Sequence, residues 1–125
     1  MSFSSTCRLQ ALSALIGGLV LLAAPGALLG VFMASSAPTR LVGRMLGGVL
    51  VALAAALVGS AELEDHGARR QVAIGNALCD AAITVALALA VRDHTLRPVG
   101  WALVALFAVN ALSWLLALRR GPDRP

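Results

Sequence analysis

A single carboxylate, Asp80, stands inside a long apolar run, about nine residues from the start of a segment reaching from about Gln71 to Val91. At a helical rise of about 1.5 Å per residue, that position lies near the middle of a bilayer. An ionised Asp there costs about 2.5–3.5 kcal/mol on insertion scales, so such residues turn toward protein and are often functional. Asn76 and Thr84 sit four residues before and after it and share its helical face. If the next apolar segment runs antiparallel, Asn110 falls at nearly the depth of Asp80, and Ser113 near that of Asn76. The expectation is an intramembrane polar cluster of Asp80, Asn76, Thr84, Asn110 and Ser113, with Asp80 bonded to Asn110 directly or through water. Two roles fit it. One is an interhelical hydrogen bond, worth about 0.6 kcal/mol on average in one measured membrane protein. The other is a proton carrier or cation ligand. A lone acid with no second titrating group in the membrane makes a poor relay, so the structural role leads.

Other reactive side chains carry less. Arg44 lies just inside its apolar segment, where a long cationic side chain snorkels toward headgroups or a loop. His66 and His94 fall in loops on opposite sides and share no metal within one chain. Cys7 and Cys79 differ too much in depth to bring their Cα atoms within the roughly 7 Å that a disulfide requires. No C-x-x-C, phosphate loop, HExxH or GxSxG occurs. No catalytic residue, metal site or cofactor is expected.

The elements that position these residues follow from composition. Hydrophobic residues make up 59% and charged residues 13% of the 125-residue chain, against about 45–50% and 25% in soluble domains. So small a fold cannot bury that much apolar surface in water. A lipid bilayer is therefore its solvent. Four runs reach the roughly 20 residues that a spanning helix needs: about 10–33, 41–61, 71–91 and 99–118. Short polar links, including 34–40, 62–70 and 92–98, make consecutive helices antiparallel neighbours. The predicted fold is an all-α, integral membrane, four-helix up-down bundle, a single transmembrane domain over residues 1–125. Pro25-Gly26 kinks or ends the first helix and leaves 27–33 as a tilted or interfacial piece. A cleaved signal peptide is the weaker reading of the first run, which continues past Pro25 with no A-x-A site before a soluble domain.

All ten basic residues are Arg, and they border the apolar runs rather than forming the clustered face of a nucleic-acid module. With abundant Ala, Gly, Leu and Val, the bias points to a GC-rich bacterial genome and a multi-pass protein of the bacterial cytoplasmic (inner) membrane. An even number of spans puts both termini on one side. Arg8, Arg69, Arg70, Arg119, Arg120 and Arg124 would lie there, with Arg40, Arg44, Arg92 and Arg97 opposite, which favours cytoplasmic termini. Trp101 and Trp114, near the two ends of the last segment, read as interfacial anchors. Small residues recur at helical spacing: Gly48, Ala52, Ala55 and Gly59 form one stripe, and Gly43 with Gly47 a GxxxG pair. In lipid such stripes let helices approach closely, within the bundle or against another subunit.

The Leu-Leu-Ala-Ala-Pro ending the first apolar helix, Arg40-Leu-Val-Gly-Arg-Met-Leu-Gly-Gly and Asn-Ala-Leu-Cys-Asp at 76–80 resemble small DoxX-like bacterial membrane proteins. The likeness covers most of the chain and implies a four-helix membrane fold. Some DoxX-like proteins are linked to quinone-reducing sulfur oxidation, but no catalytic residue carries over.

Three functions compete. The first is an accessory or structural subunit of a larger membrane complex, respiratory or photosynthetic, with no chemistry of its own; its partners are the bilayer and other membrane subunits or itself. The second is a small proton-coupled transporter acting as a homo-oligomer, against which stand 4% aromatic residues and no Tyr. The third, a membrane component of a quinone-linked oxidoreductase, rests on the resemblance alone.

Overall fold

A computed structural model describes residues 2–34 and 36–119. These form α1 (Phe3–Ala23), α2 (Pro25–Phe32), α3 (Ala37–Ser60), α4 (His66–Arg92), a 3-10 turn at Pro98–Gly100 and α5 (Trp101–Arg119), with no strand among them. Four helical stretches, Phe3–Ala23, Ala37–Ser60, His66–Arg92 and Pro98–Arg119, are long and apolar enough to cross a membrane. The fold is an all-α four-helix membrane bundle with α2 as a short fifth helix.

Local sequence sets the boundaries. Ser2 caps α1 by accepting the Ser5 N–H at 3.2 Å, so the helix starts at Phe3, seven residues before its apolar run. Pro25 has no N–H to continue α1 and disfavours helical backbone at the residue before it. Ala24 accordingly leaves the helix, and Pro25 opens α2 at a position where its missing donor costs nothing. Ser36 and Thr39 cap α3 reciprocally. Asp65 caps α4, accepting the Ala68 N–H at 2.6 Å. Past the end of α4, His94 takes left-handed backbone at φ 59°, the turn that commonly ends a helix.

The buried cluster combines Phe3, Cys7 and Ala11 of α1, Ala54 and Leu57 of α3 with Ala61 just beyond it, Ala73 and Ala77 of α4, and Trp114 of α5. Helix starts meet helix ends there, which sets the alternating up-down direction. The helices do not close a symmetric square. α1 packs along α3 and α4 along α5, while α1 against α5 is the lesser seam between the two pairs. α3 and α4 are not closely packed, although only residues 61–65 join them. The expectation that consecutive helices are antiparallel neighbours does not hold for α3 and α4: α1 takes the place beside α5.

Candidate functional site

The inward face of α4 carries Ala73, Asn76, Ala77, Asp80, Thr84 and Val91, all buried or half-buried. Asp80 is half-buried, and its Oδ2 is buried with no hydrogen-bond partner among the described residues. Its two polar neighbours turn back onto their own helix. Asn76 Nδ2 donates to the Val72 carbonyl at 2.8 Å, and Thr84 Oγ1 donates to the Asp80 carbonyl at 2.7 Å. Back-bonding to the i−4 carbonyl is the local alternative open to short polar side chains in a helix.

On α5, Ser113 Oγ donates to the Asn110 carbonyl at 2.8 Å. The partner that reaches this pair comes from α1. Gln10 Nε2 donates to Ser113 Oγ at 3.2 Å and to the Asn110 carbonyl at 3.4 Å, while Gln10 Oε1 accepts the Trp114 indole N–H at 2.7 Å. Gln10 is 8% exposed and Trp114 fully buried, with the Phe3 ring 6.0 Å from the indole. The five-residue cluster is thus two groups: Asn110 and Ser113 joined through Gln10, and Asn76, Asp80 and Thr84 on α4. Among the described residues Asp80 makes no direct hydrogen bond to Asn110. Matched depth fixes the level of two groups but not the reach of their side chains, and the long Gln10 amide serves α5 instead. Trp114 is likewise a core residue rather than an interfacial anchor, whereas Trp101 is 54% exposed.

Gln10 lies on α1, which is not the sequence neighbour of α5, so matching depths between consecutive segments does not reveal it. A Gln within an apolar stretch, at the depth of a Trp on an antiparallel helix, is the signal that finds it.

The small residues divide by face. A Cβ built on Gly47 would lie 2.8 Å from the Gly18 carbonyl oxygen, and one on Gly18 would lie 2.9 Å from that of Gly47. α1 and α3 therefore cross in backbone contact. A Cβ on Gly43 would meet Leu29 and Pro25 of α2. Gly48, Ala52, Ala55 and Gly59 instead lie on the exposed side of α3, and a Cβ on Gly48 or Gly59 meets nothing within 4 Å. As a packing face within this chain that stripe is corrected: it starts one residue after Gly47, about 100° around the helix. Beside it an apolar groove of about 370 Å³ runs between α1 and α3, lined by Leu12, Leu15, Val51, Ala54, Ala55 and Val58 among others.

Arg44 is exposed. His66 opens α4 and His94 follows its end, both exposed. Among the described residues no three His, Cys, Asp or Glu side chains converge as metal ligands, and Cys7 and Cys79 are free thiols. At the far end Arg97 joins the pairs a second time. Its backbone N–H donates to the Phe32 carbonyl at 2.7 Å, and Nη1 donates to the Gly30 carbonyl at 2.9 Å. A cation so placed satisfies the carbonyls that α2 leaves open at its end.

The arrangement offers one partnerless intramembrane carboxylate oxygen and an outward small-residue face, and no assembled nucleophile, relay or ligand set among the described residues. No protein-family model matches the chain, and neither a curated protein nor a solved structure shows significant similarity to it.

Proposed function

We propose that this protein is an accessory subunit of a larger complex in a bacterial cytoplasmic membrane, respiratory or photosynthetic, with no chemistry of its own. One observation carries the reading: the Gly48–Ala52–Ala55–Gly59 stripe is exposed along α3, and among the described residues a Cβ on Gly48 or Gly59 meets nothing within 4 Å. Small residues have no reason to line up against acyl chains, whereas they let a second helix approach closely where packing drives association. Only 11% and 6% of the apolar windows of α4 and α5 are buried within the protein, which leaves further surface for neighbouring subunits. The termini are assigned to the cytoplasmic side on the Arg balance. Arg8, Arg69, Arg70 and Arg119 stand against Arg40, Arg44, Arg92 and Arg97; Arg120 and Arg124, which tip the count, lie outside the described residues.

The test is copurification of the tagged full-length chain in mild detergent. Native protein should elute with a larger heteromeric assembly, and Ala52→Leu with Ala55→Leu should release it while leaving its own unfolding midpoint unchanged. Elution of native protein as a monomer rejects the reading.

The Asp80 oxygen favours a second reading, a proton-coupled transporter in which a second copy of the chain completes the site. Elution as a homo-oligomer, with proton-driven uptake in proteoliposomes, supports that alternative. The quinone-linked oxidoreductase reading gains no residue of its own from the site and rests on the DoxX-like resemblance.

A further inference from the structure

Between the start of α4 and the end of α5 lies a groove of about 490 Å³, rimmed by His66, Arg69, Arg70 and Arg119 over a floor that includes Ile74 and Leu118. We propose that this groove is a binding site for an anionic phospholipid, its phosphodiester held by the arginines and its acyl chains lying along the apolar floor.

Charge complementarity selects the occupant. Among the described residues none that lines the groove is acidic; Glu62, Glu64 and Asp65 of the preceding link lie outside the lining, and Asp65 caps α4. Arg69 is held in place: Nε donates to the Leu63 carbonyl, and the guanidinium lies 5.7 Å from the centre of the Phe3 ring. Its two terminal nitrogens carry four further N–H donors, and Arg70 and Arg119 are exposed beside it. Guanidinium groups pair with phosphate oxygens through paired, charge-assisted hydrogen bonds. The height is also right, because Arg69 and Arg70 lie near the start of one spanning helix and Arg119 ends the other. That is where a headgroup sits, and basic pockets between spanning helices bind anionic headgroups. A soluble anion would use the rim and leave Ile74 and Leu118 unused. A zwitterionic lipid would use the floor but bring an ammonium to three arginines.

The test uses the full-length protein in mild detergent and native mass spectrometry with phosphatidylglycerol, phosphatidylcholine and inorganic phosphate. Phosphatidylglycerol should be retained in preference to phosphatidylcholine. Arg70→Gln with Arg119→Gln should weaken that retention about 30-fold, whereas Arg40→Gln with Arg92→Gln, exposed arginines of the opposite end, should change it less than about threefold. Equal retention of phosphatidylcholine, equal loss in the two double variants, or displacement of the lipid by an equal concentration of inorganic phosphate would each overturn the assignment. Should the Arg70/Arg119 variant lose its helical circular dichroism, the native protein decides: retention that falls between 0.05 and 0.5 M NaCl (about a tenfold range) supports the site, and retention unmoved by salt overturns it.

Discussion

Trp114 of α5 donates its indole N–H to Gln10 of α1 across 2.7 Å, and the same Gln10 amide donates to Ser113 and to the Asn110 carbonyl. One side chain thus meets three groups on the helix opposite, at the seam between the α1/α3 and α4/α5 pairs. In hydrocarbon none of these groups has water to fall back on, so geometry that satisfies all of them fixes the rotation of α1 against α5.

Gln10→Leu keeps roughly the volume but strands the buried indole N–H. The variant should lose about 1–2 kcal/mol of stability, measured by equilibrium unfolding in mixed micelles. Adding Trp114→Phe removes the stranded donor, so the double variant should fall short of the summed single losses by at least about 0.5 kcal/mol.

At the α1–α3 crossing, Gly18→Ala or Gly47→Ala puts a methyl group within 3 Å of the facing backbone oxygen. Backbone cannot rotate aside as a side chain can, so each change should cost about 1–3 kcal/mol. Gly48→Ala, in open space on the other face, should leave stability unchanged or raise it by about 0.5–1 kcal/mol through helix propensity. Thermal unfolding of the three variants side by side checks the contrast.

Much of this architecture is legible in the chain, because an apolar run of spanning length has only one good conformation in lipid. The break at Pro25 is legible for the same reason: a missing N–H acts locally. The start of α1 is not, since Ser4, Ser5 and Thr6 look like a polar leader until Phe3, Thr6 and Cys7 are seen to be buried. Spacing also reveals which residues share a face but not which face turns inward. Gly43–Gly47 and the stripe from Gly48 carry similar small-residue signals, and one residue of rotation separates a backbone contact from open space. Asp80, Asn76 and Thr84 share the predicted face, yet which polar group bonds to which depends on side-chain reach across α1, α4 and α5 together. The Gly18 contact had a readable sign in Ala14-x-x-x-Gly18, a small pair matching Gly43-x-x-x-Gly47.

His94 holds left-handed backbone without being Gly. His is less adverse there than a branched residue, but its Cβ still crowds the backbone. His94→Gly should therefore be neutral or stabilising by up to about 1 kcal/mol, read from the unfolding midpoint. A loss of more than about 1 kcal/mol would mean that the imidazole makes a contact of its own in the assembled protein.

Asp80 separates the competing functions most sharply, because the described residues give Oδ2 nothing to bond to. A buried polar atom without a partner costs free energy, and an apolar replacement of similar shape removes that cost. In the isolated protein, Asp80→Val should therefore raise stability by about 1 kcal/mol, and Asp80→Asn, which keeps the size and the polar head, should be close to neutral. Proteins retain such a cost where the group is used, so the informative measurements follow in the membrane. If Asp80 bonds to another subunit, Asp80→Val should lower the yield of the copurified assembly while Asp80→Asn retains it, since an amide can still hydrogen-bond. If Asp80 carries a proton or a cation, Asp80→Asn should abolish uptake by proteoliposomes with the fold intact, because an amide does not ionise near neutral pH and offers a cation no charge. The accessory-subunit reading expects the first pattern. Loss of transport in Asp80→Asn, with assembly unchanged in Asp80→Val, would transfer the assignment to the transporter.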